Sequence, residues 1–90
     1  MMVINTKIKQ RAHFNRYIFG SAVYSDNPKD IDIAIVYDNQ FVSAQEAIEY
    51  RKEITAILRD MNSISIDAIL LSKDEEEEMA FLMNAKHIEF

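Results

Sequence analysis

The chain has 90 residues, of which 49% are hydrophobic, so it can bury one modest core and fold as one domain over residues 1–90. It contains no cysteine, which excludes disulfides, thiolate catalysis and cysteine-ligated metal sites. Its net charge is −5, with 10 basic and 15 acidic residues, and this balance argues against a nonspecific nucleic-acid binder.

The first half of the sequence predicts one helix and two strands. Apolar residues recur at helical spacing among the basic residues of Thr6 to Asn15, which indicates a weak amphipathic helix. The apolar run from Tyr17 to Phe19 stops at Gly20 and predicts a buried strand. After a polar loop, the β-branched run from Ile31 to Tyr37 is apolar on both faces, as expected of an interior strand.

The second half predicts a helix, a strand and a final helix. Ser43 and Glu46 have capping-box spacing, and apolar residues then recur every three or four positions. The aliphatic run from Ile64 to Leu71 predicts a strand beside the earlier one. Ser72 and Glu75 form a second capping box that opens the final helix. Alternating helices and strands make this an α/β (α+β) domain, with three strands at the centre of its sheet.

The chain has a single glycine and a single proline, at Gly20 and Pro28. Its special backbone geometry is therefore concentrated in one stretch. Glycine lets a phosphate approach the backbone, and the hydroxyl and amide of Ser21 can bind it at the start of a helical turn. A Gly-Ser pair alone is a weak signal, and it gains meaning only in combination with other residues.

Three aspartates interrupt the predicted strands. Asp30 and Asp32 lie two residues apart at the entrance of a strand, which places them on one face with Cα atoms about 6.5 to 7 Å apart. Oxygen ligands so arranged suit a hard divalent cation such as Mg²⁺. If the later strand pairs alongside, Asp67 joins them, and three carboxylates can hold two metal ions about 3.5 to 4 Å apart for phosphoryl or nucleotidyl transfer.

Each carboxylate also has a purely structural explanation. Asp30 could simply begin a strand after a turn, and Asp32 could face solvent on an edge strand. Asp67, flanked by aliphatic residues, needs a cation, a hydrogen-bonding partner or an open cleft. Clustered carboxylates mark functional sites only statistically, so no single one of them decides between structure and function.

In combination these residues form three separated elements: Phe19-Gly20-Ser21, Asp30-Ile31-Asp32-Ile33 and Ile66-Asp67-Ala68. In this order they resemble the minimal nucleotidyltransferases of the polymerase-β superfamily, over about Tyr17 to Leu71. The resemblance implies a nucleotidyltransferase fold, a small mixed sheet of three to four strands with helices packed against it. It also implies a nucleotide-binding role for Gly20 and Ser21, Mg²⁺ binding by Asp30 and Asp32, and completion of the metal site by Asp67, which helps activate the attacking hydroxyl.

Small members of this kind resemble the antitoxin of a toxin–antitoxin pair in which the toxin is a helical HEPN-type ribonuclease. In that setting the family transfers AMP from ATP to a tyrosine of the toxin. The resemblance thus implies ATP as substrate, a two-metal Mg²⁺ site and a protein partner, either such a toxin or a separate helical subunit. Self-association into a homo-oligomer stays open.

Two other functions remain open at this point. The chain could be a weak or inactive nucleotidyltransferase fold that regulates a partner by contact, or the metal-binding part of a split polymerase-like enzyme. No apolar run approaches the roughly 20 residues that span a bilayer, and the amino end lacks a signal-peptide core, so we expect a cytoplasmic protein without membrane contact. The basic residues before Gly20 are expected on a solvated helix face: Lys7, Lys9, Arg11 and Arg16.

Overall fold

The structure, a computed structural model, describes residues 8, 10–20, 30–62, 64–80 and 86–90. In these ranges the elements are β1 (Phe14–Phe19), β2 (Asp30–Tyr37), α1 (Ala44–Asn62), β3 (Ser65–Ser72), α2 (Lys73–Met79) and β4 (His87–Glu89). Ser21 and Pro28, which the sequence singled out, lie outside the described residues. No described helix is long and apolar enough to cross a membrane.

The described strands form one mixed sheet in the order β3-β2-β1-β4. β2 runs parallel to β3 and antiparallel to β1, which in turn pairs antiparallel with β4. Parallel neighbours need a crossover connection, and α1 supplies it between β2 and β3. The predicted α/β (α+β) class and the small mixed sheet are confirmed.

The hydrophobic core lies between one face of the sheet and α1. Ile31, Ile33 and Ile35 alternate along β2 and are fully buried, in one cluster with Ile54 and Leu58 of α1. Burying each such side chain contributes about 1.5–3 kcal/mol. Because side chains alternate along a strand, the even-numbered residues of β2 point to the opposite face, where α2 contacts β2 and β3.

Both predicted helix starts are confirmed. The Ser43 hydroxyl accepts a hydrogen bond from the Glu46 amide at 3.2 Å, directly before α1. At α2 the box is reciprocal, because the Ser72 hydroxyl accepts from the Glu75 amide at 3.1 Å while the Ser72 amide donates to the Glu75 carboxylate at 2.9 Å. A cap of this kind is worth about 1 kcal/mol, which helps a helix as short as α2.

The predicted helix from Thr6 to Asn15 is wrong where the structure describes it. Phe14 already begins β1, and His13 before it has a positive φ of 71°, which a helix does not allow. Phe14 is buried with its ring 4.1 Å from that of Tyr50, and burial then alternates along the strand. Contacts with α1 therefore outweigh a weak local helical pattern.

The expectation that the amino-terminal basic residues are solvated is wrong for Arg16, which is only 2% exposed. Its guanidinium donates to the carbonyl oxygens of Phe90 at 3.2 Å and Ile8 at 3.4 Å, and it lies 5.1 Å from the centre of the Phe90 ring. Arg16 thus joins β1 to the residue after β4. The sequence did not predict β4, because three residues are too few to show a strand pattern.

Candidate functional site

The pairing of β2 with β3 brings two of the three aspartates together. Asp32 and Asp67 are direct Cα partners in the parallel register, on strands about 4.8 Å apart. Both side chains lie on the face opposite α1, because Ile31 and Ile33 fill the other face. Asp32 is therefore in an interior strand between β1 and β3, which removes the explanation that it faces solvent on an edge.

Asp30 begins β2 and pairs with Ser65 at the start of β3. It is exposed, and it shares the face of Asp32 because the two residues are two positions apart. The structure thus places all three predicted carboxylates on one face, at the end of the sheet where β2 and β3 begin. We call Asp30, Asp32 and Asp67 the carboxylate cluster.

The charges of this cluster act on one another. Partial burial, and then the neighbouring carboxylates of Asp67 and Asp30, raise the pKa of Asp32 above its ordinary value. Each cause disfavours the ionised form, the first by removing water and the others by repulsion between like charges. A cation placed among these groups would relieve the repulsion.

Gly20 lies directly against the cluster. It follows β1 with a φ of 75°, and Phe19 before it is the Cα partner of Asp32. A Cβ atom at Gly20 would lie 2.6 Å from Asp32 Oδ2, closer than two such atoms can approach. The single glycine of the chain is therefore required both by its left-handed backbone and by the carboxylate that lies over it.

The donor atoms of the cluster fit a hard divalent cation in kind, since carboxylate oxygens are what Mg²⁺ prefers. Within the described ranges, however, no three acidic or histidine side chains converge closely enough to hold one ion together. The backbone places Asp32 and Asp67 side by side, with Asp30 two residues from Asp32 along β2. Metal binding by the three aspartates stays a prediction.

The raised pKa of Asp32 predicts a pH dependence of stability. Between the ordinary value of 3.8 and the raised pKa, the folded protein binds more protons than the unfolded chain, so stability falls as pH rises through this window. In buffer without divalent cations, Asp32→Asn should therefore match the wild-type protein below the window and be more stable above it. Urea unfolding from about pH 3 to 7 measures this difference, and a difference that stays constant with pH would contradict the raised pKa of Asp32.

A cavity opens farther along the same face as the carboxylate cluster. It has a volume of about 230 Å³ and is lined by residues of β1, β2 and α2, among them Tyr17 and Glu76. Burial, and then the charges of Glu89 and Glu76, raise the pKa of the Tyr17 phenol, and Asn15 donates a hydrogen bond to Glu89 at 3.1 Å. Sequence reasoning missed this cavity because its lining residues come from β1, β2 and α2, which are distant from one another in the sequence.

Comparisons with known proteins agree with this geometry. A family model described as "Polymerase beta, Nucleotidyltransferase" matches residues 6–88. That range contains Gly20 and the whole carboxylate cluster. No curated protein and no solved structure matches significantly. Because the family model covers nearly the whole chain, this protein belongs to the polymerase beta nucleotidyltransferase family.

Proposed function

We propose that this protein is a Mg²⁺-dependent nucleotidyltransferase that moves AMP from ATP to a hydroxyl group of a partner protein. The observation that carries the proposal is the side-by-side placement of Asp32 and Asp67, with Asp32 lying against Gly20. In this family such a turn binds the nucleotide, and such carboxylates bind the metal ions. Nucleotidyl transfer in general follows from membership of the family.

Each residue has a role in this proposal. Asp30 and Asp32 would hold Mg²⁺, and Asp67 would share that site. The metal would supply positive charge that stabilises the phosphates and makes the acceptor hydroxyl more acidic. Gly20 and Ser21 would bind the triphosphate through the backbone. Asp67 would take the proton as the acceptor oxygen bonds to the α-phosphorus and pyrophosphate leaves.

We further propose that the acceptor belongs to a helical HEPN-type toxin, so that the protein acts as an antitoxin. The resemblance of this chain to such antitoxins supports this partner. Two large apolar side chains, Phe41 and Met79, are 64% and 58% exposed and would be available to such a partner.

The test is transfer of label from ATP to the product of the neighbouring gene. With ATP labelled at the α-phosphorus and Mg²⁺ present, we expect covalent label on the partner and release of pyrophosphate. ATP labelled at the γ-phosphorus should give no labelled protein, which separates nucleotidyl from phosphoryl transfer. Absence of label from the α-position at any Mg²⁺ concentration would reject the enzyme function for this partner.

A second candidate function is regulation of a partner by contact alone. It is favoured by the finding that the described acidic side chains do not converge into a group of three that could hold a metal ion. The same partner distinguishes the two functions. Under contact regulation, the double variant Asp32→Asn/Asp67→Asn still inhibits the partner without ATP, whereas under the enzyme function inhibition requires ATP and both aspartates.

A further inference from the structure

The β3 strand forms an open edge of the described sheet. In the part of the chain that the structure describes, it pairs with β2 on one side and with nothing on the other. Exposed edges are usually protected by charges, proline or short length. β3 is eight residues long, contains no proline, and carries Asp67 as its single charge. Backbone amides and carbonyls along this edge are thus available to another strand.

A basic groove lies beside this edge, on the side of α1. It has a volume of about 400 Å³, and α1 contributes Arg51, Lys52 and Arg59 to it, while β3 contributes Ile66 and Ala68. Positions 51, 55 and 59 follow one another at helical spacing, so they form one stripe along α1. No acidic side chain lines the groove within the described ranges.

The three basic side chains of the groove differ from the rest of the molecule in their charge and in their lack of acidic partners among the described residues. The described residues include no ion pair of Arg51, Lys52 or Arg59 with an acid, whereas Arg11 lies 3.8 Å from Glu46. The whole chain has a net charge of −5, so a cationic groove here is a local reversal of sign. Complementarity favours an occupant with negative charge.

The open edge and the groove together favour an extended polypeptide over a nucleic acid. A strand added to β3 would pair with its free backbone groups, which a phosphodiester chain does not do. Its side chains would alternate between the two faces of the sheet. Those on one face would enter the groove above Ile66 and Ala68, and those on the other would lie about 5 Å from β3 side chains such as Asp67.

We propose that the edge of β3 binds an extended acidic segment of the acceptor protein, whose acidic side chains occupy the basic groove. An intervening tyrosine, serine or threonine would then face Asp67 and the carboxylate cluster. This placement of the hydroxyl rests on the proposed function. It explains the choice of acceptor, because the selected tyrosine, serine or threonine is the one with acidic residues at the adjacent positions. The reaction is the one given above, with the hydroxyl oxygen bonding to the α-phosphorus of ATP, pyrophosphate leaving and the proton passing to Asp67.

The first experiment measures binding without ATP or Mg²⁺, so that it is independent of catalysis. The probe is a fluorescein-labelled peptide of nine residues with a central tyrosine. Glutamate occupies the position on each side of the tyrosine and, again on each side, the position two residues farther out. One comparison peptide has the same composition with its glutamates grouped at one end. Another has lysine for glutamate, and a third has N-methyl groups on alternate amides, which prevents strand pairing.

We expect the alternating acidic peptide to bind at least tenfold more tightly than each comparison peptide, and to shift the NMR amide signals of β3. Arg59→Glu should weaken its binding at least tenfold. Lys73→Glu is the matched control, because it makes the same change in charge at an exposed residue of α2 outside the groove. The affinity of this variant for the acidic peptide should stay within twofold of the wild-type affinity.

Other results would overturn the proposal. They are no binding of the acidic peptide, equal binding of the grouped or N-methylated peptide, and equal weakening by Lys73→Glu. Tighter, Arg59-dependent binding of a single-stranded oligonucleotide would assign the groove to nucleic acid instead. If the peptide binds as expected but receives no AMP when ATP and Mg²⁺ are added, the docking surface stands and the proposed enzymatic function fails.

Discussion

Asp32→Asn is expected to lower the rate of the proposed AMP transfer by about 10²- to 10³-fold, as for loss of one group that acts on the charge of a transition state. Asp32 is the carboxylate that touches every part of the candidate site, since it lies across from Asp67, two residues from Asp30 and against Gly20. Asparagine keeps the shape of the side chain and removes its charge. The initial rate of label transfer at saturating ATP and Mg²⁺ measures the effect.

The fold should survive this change. Because burial, and then the neighbouring carboxylates, raise the pKa of Asp32, removing its charge relieves both the desolvation and the repulsion, and the melting temperature should not fall. Asp60→Asn, at an exposed position of α1, makes the same chemical change elsewhere and should leave the rate within twofold of wild type. A variant Asp32→Asn that keeps a tenth or more of the wild-type rate would remove Asp32 from the proposed metal site.

The elements that carry the cluster could be predicted from sequence because their patterns are local. The β-branched run that became β2 is apolar on both faces, and Asp32 stands out in it as a charged residue within an interior strand. The helices α1 and α2 follow serines whose caps depend only on residues three positions ahead. Such signals need no knowledge of the rest of the chain.

What the sequence could not show depends on contacts between distant segments. The exact register that makes Asp32 the partner of Asp67 joins residues 35 positions apart, and no local pattern specifies it. The sequence predicted an exposed side chain for Arg16, because the carbonyl oxygens that accept its hydrogen bonds belong to Ile8 and Phe90, and no local pattern shows these contacts. The same limit hid the groove, whose lining residues come from two distant elements, α1 and β3.

Strand order also explains why Asp32 and Asp67 differ in environment. Asp32 lies in the interior of the sheet and is half-buried, while Asp67 lies on an edge strand and is exposed. Burial fixes the position of Asp32 and disfavours its charge, so it is the residue most sensitive to its neighbours. Asp67, at the open edge, is the carboxylate that an incoming acceptor would reach first.

Gly20→Ala is expected to damage activity more than stability. The left-handed φ of 75° costs an alanine about 1–2 kcal/mol of folding free energy. The new Cβ would also lie 2.6 Å from Asp32 Oδ2. That oxygen is the tip of a side chain, so the contact is relieved by rotation of the carboxylate, and a displacement of about 1 Å at a reacting centre can cost about 10²-fold in rate.

Gly20→Asn separates the two effects, because asparagine tolerates a left-handed backbone but still carries a Cβ atom. Its stability, from urea unfolding, should lie closer to wild type than that of Gly20→Ala, while its transfer rate should fall by the same factor of about 10². Equal losses of stability with a normal rate in both variants would mean that the glycine serves only the turn. Loss of rate in both, with stability recovered only by asparagine, would show that Gly20 is needed because the carboxylate of Asp32 occupies the space of a side chain.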